Sequence, residues 1–262
     1  MVKPQFWQRL LLIVIPVAVC LIALYVSSCC TLEQRPHVKS IHVINLDKDV
    51  SRWNSFSSLN IYIKPKRWPA TYGKDLTQDE MAQQGVGYAM TRSGKGSYAE
   101  QGKELRNQGV VGCFLSHKNL LKYLGDQQVP ENYGHLILED DVTIPADFLK
   151  PTDEWHKHYK NIPTDWDMVY MDITAPIGTQ IAPHIYKLKY SLHEKGNWGT
   201  HAYLVRQGSI KSKILPWLTY MIDAIDEQYK MKFNEWNVYA VVPGIIPINE
   251  VLSNDSTIQQ DK

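Results

Sequence analysis

"HLILEDDVTI", residues 135–144, sets three consecutive carboxylates directly after an apolar run. Leu136, Ile137 and Leu138 read as a short strand buried on both faces of a sheet, the pattern of a mostly parallel sheet. Glu139, Asp140 and Asp141 then end it, although adjacent negative charges repel and none is normally buried without a partner. The triplet is either a solvated turn at a strand end or the holder of something positive. In an extended segment, residues two apart point the same way. Glu139 and Asp141 can therefore converge on one ligand while Asp140 faces elsewhere. Oxygen-only ligands of this kind suit Mn2+ or Mg2+, which complete their shells with water and phosphate oxygens.

The flanking chain alternates strand and helix patterns. "SIHVINLD" (40–47) and "WDMVYMD" (166–172) read as further buried strands, each followed by a carboxylate at Asp47 or Asp172. "THAYLV" is another, followed by a helix through Ile210, Ile214 and Leu215 that Pro216 should end, and "VYAVVPGIIP" supplies the last. "SRWNSFSSL" predicts a helix capped by Ser51, and Val110, Phe114, His117, Leu121 and Leu124 fall at helical spacing. Such alternation predicts an α/β fold with a largely parallel sheet, in which ligands bind beyond the carboxyl ends of the strands.

The first 30 or so residues differ from the rest. Leu10 to Val26 carry no charge, and extended through Ser28 the run is about the 20 residues needed to span a bilayer. It predicts a single-pass signal anchor over 10–28, with the side of the membrane open. A lipoprotein processing site at "VSSC" and palmitoylation of Cys29–Cys30 are alternatives. The expected division is a short cytoplasmic N-terminus (1–9), the anchor (10–28), a stem (29–39), a catalytic domain (40–252) and a flexible tail (253–262). With 28 Lys and Arg against 27 Asp and Glu, the chain lacks the basic excess of a nucleic-acid binder. Of four cysteines only Cys113 lies beyond the N-terminal region, which excludes an internal disulfide and an all-cysteine zinc site.

Several conspicuous features have bland alternatives. "SGKGS" (93–97) lacks the earlier glycine of a phosphate loop, because Ala89 stands there, and is rejected. Residues 85–109 read as a long loop and a candidate acceptor lid. His117 sits on an apolar helix face, as a hydrogen-bonded core histidine does. His156 and His158 diverge if helical. Trp198 could stack on a sugar or serve as core, and "KPKRW" (64–68) reads as a solvated loop.

The collinear blocks "VINLDKDVSRW", "WPATYGKDL", "GVVGCFLSHKNLLKYL", "LILEDDVTIPADFL", "WDMVYMD", "GTHAYLV", "MIDAIDEQY" and "VYAVVPGIIPINEVLSNDSTIQ" are worth more than any single motif. Together, over about 41–259, they resemble the family 25 glycosyltransferases, which include lipopolysaccharide-biosynthesis and collagen galactosyltransferases. The resemblance implies a GT-A-like nucleotide-sugar fold, with "EDD" in place of the DxD metal motif. It puts Glu139 and Asp141 on a Mn2+ or Mg2+ ion, with Glu139 also placing the donor sugar. Asn45, Asp47, Arg52, Thr200 and His201 would lie about a UDP-sugar donor, and Ser116 and His117 match the "LSH" block. The late block departs from the family pattern, with Met221 in place of a proline. Implied is inverting transfer of a hexosyl group, galactose favoured, to a glycan, glycolipid or protein hydroxyl. One carboxylate serves as base, Asp223 first, then Asp226 and Asp172. A metal-dependent phosphohydrolase would need further ligands that the sequence does not offer, and a catalytically inactive carbohydrate-binding relative is the alternative.

Overall fold

The computed structural model describes residues 17, 19, 35–86 and 108–253. Its strands are β1 (His37–Asn45), β2 (Lys66–Pro69), β3 (Tyr133–Glu139), β4 (Met168–Tyr170), β5 (Gly178–Ala182), β6 (Ile185–Leu188), β7 (Ala202–Arg206) and β8 (Val238–Val241). They form an eight-stranded sheet in the order β2-β1-β3-β7-β4-β8-β6-β5. Packed about it are α1 (Val50–Ser57), α2 (Gln78–Gln83), α3 (Gln108–Gly125), α4 (Glu154–His158) and α5 (Ile225–Lys230).

The expected largely parallel sheet is corrected to a mixed one. β1 runs parallel to β2 and β3, and β4 to β8, but β7 is antiparallel to both β3 and β4, and β6 is antiparallel to β5 and β8. A short buried strand shows the same apolar run whichever way it points, so "THAYLV" carries no sign of direction. The expected membrane-spanning helix is also corrected. Among the described residues no helix is long and apolar enough to cross a membrane. Of 10–28 only Val17 and Val19 are described, and the remainder of that segment, residues 87–107 of the proposed lid and the tail after Ser253 lie outside the described residues.

The alternation of side chains along the strands divides the core into two layers, one on each sheet face. Ile41, Val43, Leu136 and Leu138 pack with Phe56, Phe148 and Trp166 on one side. Ile44 and Ile137 face the other, where α3 buries Val111, Phe114, Leu121 and Leu124. Leu136, Ile137 and Leu138 have no exposed surface, and each contributes about 1.5–3 kcal/mol by leaving water. β3 is thus the central fixed element, and its polar end emerges where α3 crosses.

Local details differ from the sequence expectations for identifiable reasons. α1 begins after Asp49 rather than at Ser51, with no side-chain cap. Pro216 does not end its helical run: it occupies the first turn of Leu215–Trp217, where a missing N–H costs little, following a π turn at Ile210–Ile214. "KPKRW" is not a loop but contributes β2, held by parallel pairing to β1. His156 and His158 lie on α4, each facing an acid, Asp153 and Glu154 respectively.

A buried polar chain crosses β1 and β3. The Gln207 amide nitrogen donates to the Gly125 and Gln127 carbonyls, which turns its oxygen toward His135 Nε2 at 2.8 Å. His135 Nε2 therefore holds the proton, and Nδ1 accepts from the Ser40 hydroxyl at 2.8 Å. His42 Nε2 in turn donates to Ser40 Oγ at 3.1 Å. Burial, aided by the nearby His135 and Lys66 charges, pushes His42 from 6.5 down to about 4. Below about pH 6.5 the unfolded chain takes up a proton that folded His42 refuses, so stability present at neutral pH is lost as pH falls through that window. We predict a loss of up to about 3 kcal/mol from His42 between pH 7.5 and pH 4. Denaturant unfolding of the wild type and of His42→Gln checks it: the variant should lose less, and equal losses would rule His42 out as the source.

Candidate functional site

Glu139 is the last residue of β3, and the two carboxylates after it lie in the turn that follows. The chain beyond is fastened by Asn249 N–H to the Asp141 carbonyl at 2.7 Å and Thr143 N–H to the Pro247 carbonyl at 2.9 Å. The three acids meet different partners. Asp140 Oδ1 accepts from Arg52 Nη1 at 2.8 Å and Oδ2 from Asn45 Nδ2 at 2.7 Å. Arg52 Nη2 also donates to the Leu252 carbonyl at 2.6 Å, so the charged pair braces α1 against the far end of the chain.

All three acids line one open cleft, together with Arg52, Tyr72, Gly73, Gly109, Gly112, Cys113 and His117, and Glu139 and Asp141 face it without the Arg52 pairing that claims Asp140. Glu139 Oε1 accepts from the Thr200 hydroxyl at 2.8 Å. His117 Nε2 stands 3.4 Å from the same oxygen, an ion-pair distance without hydrogen-bond alignment. Burial acts to raise the Glu139 carboxyl, but His117 and Thr200 outweigh it and hold it below its ordinary value. Asp141 fares oppositely. Its Oδ1 is buried without a hydrogen-bond partner. Burial and the charges of Glu139 and Asp140 push its carboxyl up to about 7. Neighbouring acids forced apart in this way mark a functional site. An unpartnered oxygen beside an ionised carboxylate fits a divalent cation, since a cation would relieve both penalties at once. The residues present therefore fit Mn2+ or Mg2+, with Glu139 and Asp141 as protein ligands.

The opposite wall of the cleft requires glycine. A Cβ on Gly112 would stand 2.7 Å from the Thr71 carbonyl oxygen, and one on Gly73 1.7 Å from that of Gln108. α3 thereby approaches residues 71–73 backbone to backbone. Ser116 Oγ completes the joint, accepting from Thr71 N–H at 2.8 Å and donating to the Gly112 carbonyl at 2.6 Å.

The remaining sequence-predicted residues separate into three groups. Arg52, Glu139 and Asp141 line the cleft. Thr200 reaches it through Glu139, and Asn45 supports it from beneath by holding Asp140 and the Asp49 carbonyl. Asp47 does not join them: its side chain is 83% exposed and pairs with Arg67. His201 Nε2 pairs with Asp172 Oδ2 at 3.0 Å. A Cβ on Gly244 would fall 1.8 Å from the other Asp172 oxygen, so that glycine makes room for the acid. Asp226 Oδ2 accepts the Gly199 N–H at 3.1 Å, one residue before Thr200, and Gly199 has φ +99°, a conformation natural to glycine. Asp223 is buried, with the Ala224 N–H on its Oδ1 at 2.8 Å.

Sequence reasoning did not assign Arg67 and Cys113 to the site. Arg67 Nε donates to Asn45 Oδ1 at 2.7 Å, steadying the residue that holds Asp140. Cys113 lies four residues before His117 and faces the cleft with it. That i, i+4 spacing was visible in the sequence, but its partner Glu139 comes from another element.

A family model described as "Glycosyltransferase family 25 (LPS biosynthesis protein)" matches residues 38–227. The chain is similar to "Glycosyltransferase 25 family member" from Drosophila melanogaster, 24% identical over 188 residues, covering 69% of this chain and 29% of that protein. It is also similar to "Procollagen galactosyltransferase 1-A" from Xenopus laevis, 28% identical over 102 residues, covering 39% of this chain and 15% of that protein. The chain thus spans under a third of the length of these curated relatives.

The perturbed Asp141 yields a test without substrate. Its carboxyl rises from 3.8 to about 7 on folding, so its contribution to stability is full below the lower value and lost as pH rises through the higher one. Above pH 7 the metal-free protein bears a penalty of about 2–4 kcal/mol that an amide at this position escapes. Asp141→Asn should therefore melt higher than wild type at pH 8 in chelator, and Mn2+ should raise only the wild-type midpoint. A variant that melts lower in chelator, or gains as much from Mn2+, would show that Asp141 is not the strained ligand. Separately, Gly112→Ala should cost about 1–3 kcal/mol in denaturant unfolding by prising α3 from residues 71–73. A cost near zero would mean that the joint yields freely.

Proposed function

Because the chain belongs to glycosyltransferase family 25, we propose that it transfers a hexosyl group, galactose favoured, from a UDP-sugar to a hydroxyl of a glycan, glycolipid or protein, with inversion at the sugar carbon. The observation that carries this reading is the convergence of Glu139 and Asp141 on one cleft, with Asp141 Oδ1 buried and unpartnered. The galactosyltransferase among the similar proteins supports the choice of sugar. Residues 40–252 are the proposed catalytic unit.

A divalent cation, Mn2+ or Mg2+, held by Glu139 and Asp141 would neutralise charge gathering on the departing diphosphate. The chain's own residues organise the rest. Gly73 and Gly112 let α3 close on residues 71–73 and so set the cleft wall on which a donor would lie. Arg52, fixed at both ends of its guanidinium by Asp140 and Leu252, stays at the cleft wall as a preorganised positive charge. Thr200 keeps Glu139 oriented and ionised by donating to it. A single displacement also asks one carboxylate to accept the acceptor hydroxyl's proton. Of the three acids we assign this to Asp226, because Gly199 ties it to the neighbour of Thr200 and its charge acts on Cys113 in the cleft. Asp172 is engaged with His201 and Asp223 is buried, which suits both to positioning.

The purified chain, stripped of metal, should release UDP from UDP-galactose in the presence of an acceptor only when Mn2+ is restored. Asp141→Ala should remove that turnover. Asp226→Asn should lower kcat by about 10²–10⁴ with little change in donor KM, as expected of a lost base. UDP binding without release would favour the inactive-relative alternative. No binding with any donor or metal would overturn the transferase reading.

A further inference from the structure

We propose that Cys113, His117 and Glu139 form a binding site for one divalent transition-metal ion of the zinc class. Such a site does not presuppose the transferase reading, although it shares Glu139 with the cation pair proposed there. Cys113 and His117 stand four apart on α3 and so share a helix face, while Glu139 arrives from the end of β3. One ligand atom from each of the three lies within 4.8 Å of the other two. His117 Nε2 and Glu139 Oε1 are 3.4 Å apart. Zinc bonds of about 2.0–2.3 Å at tetrahedral angles place ligand atoms about 3.3–3.8 Å from one another. The imidazole and carboxylate already have that spacing, and the sulfur needs only a small side-chain adjustment.

The state of His117 is an independent sign of a missing ligand. The residue has no exposed surface, and its Nε2 has no hydrogen-bond partner. Its Nδ1 is engaged by the Tyr203 hydroxyl at 3.0 Å, which lies 3.5 Å from that of Tyr229. One ring nitrogen held by the protein and the other presented bare toward a carboxylate is how a metal-ligating imidazole is arranged. With Nδ1 engaged by Tyr203, Nε2 faces Glu139 Oε1 at 3.4 Å without hydrogen-bond alignment, a spacing that a bridging cation would fit. Burial, with the charges of Glu139, Asp226 and Asp141, pushes the Cys113 thiol up, so an ion bound here would have to displace the thiol proton and would relieve that negative field.

The chemistry of the donors selects the ion. A thiolate, an imidazole and a carboxylate together suit Zn2+ or Co2+, whereas Mg2+ and Mn2+ prefer the all-oxygen pair of Glu139 and Asp141. The three side chains all line the cleft, so a tetrahedral ion would keep its fourth position toward it, as open zinc sites do. Glu139 belongs to both ligand sets. The chain's shortage of cysteines excludes an all-cysteine zinc site but not this mixed one.

Cobalt reports on the sulfur directly. The metal-free, reduced full chain should take up one Co2+ at this site, with a thiolate-to-cobalt charge-transfer band and the visible bands of a tetrahedral ion, both bleached by equimolar Zn2+. Cys113→Ser changes one atom at a partly exposed position. It should abolish the charge-transfer band and weaken Co2+ binding at least tenfold, by about 1.4 kcal/mol or more. Asp141→Asn, outside the trio, should keep the band. His117→Gln should lose the tetrahedral spectrum while circular dichroism reports whether the fold is intact. Absence of the band in folded wild type, or its persistence in Cys113→Ser through Cys20, Cys29 or Cys30, would overturn the proposal. The band with no UDP release would tell against the transferase reading alone, and UDP release without the band would tell against this site alone.

Discussion

Glu139, Asp140 and Asp141 follow a strand whose three preceding side chains are wholly out of water, and three charges so close together cannot all persist there uncompensated. The surrounding structure treats them one at a time. Asp140 receives the Arg52 guanidinium and the Asn45 amide. Glu139 receives a hydroxyl from Thr200 and the neighbourhood of His117. Asp141 is left with one buried oxygen unpartnered and a carboxyl that prefers its proton near neutrality. The elements that matter for function are those that supply partners to these acids. α1 brings Arg52, α3 brings His117, and the residues before β7 bring Thr200.

The antiparallel insertion of β7 between β3 and β4 is what makes that arrangement geometrically possible. Because β7 runs against β3, the residues that enter it lie beside the residues that leave β3. The Glu139 N–H accordingly bonds the His201 carbonyl at 2.9 Å, with Thr200 adjacent. The same reversal brings His201 to Asp172 beyond the end of β4. A wholly parallel sheet would have placed residues 199–201 at the opposite edge, far from the acids.

Glycine performs the complementary role on the cleft's other wall. Gly112 and Gly73 permit contact between α3 and residues 71–73 that no side chain would allow. Without that approach Cys113, Ser116 and His117 would stand farther from the carboxylates. The cleft therefore depends on charge compensation on one side and on backbone proximity on the other, and these meet at His117.

Much of the site was legible in local pattern. An apolar run ending in acids marked β3 and helical spacing located α3, but period-2 spacing does not single out Glu139 and Asp141, because residues 140–141 form a turn and Asp140 lines the same cleft. Asp47 stands apart from the cleft acids because a residue near a strand end can turn either way, and here an exposed pairing with Arg67 holds it. β2 and the β5–β6 hairpin were missed because short, partly exposed strands at or beside the sheet edges carry little hydrophobic signal. The sequence by itself determined the types of the long buried elements, the residue chemistry of the acids and the family resemblance, because these follow from residue type and spacing along one chain. Only the tertiary structure decided strand direction, the different partners of the three carboxylates, and the meeting of Cys113 and His117 with Glu139. Those depend on contacts between residues far apart in sequence, and the energies of burial and pairing that select them do not exist until the chain has closed on itself.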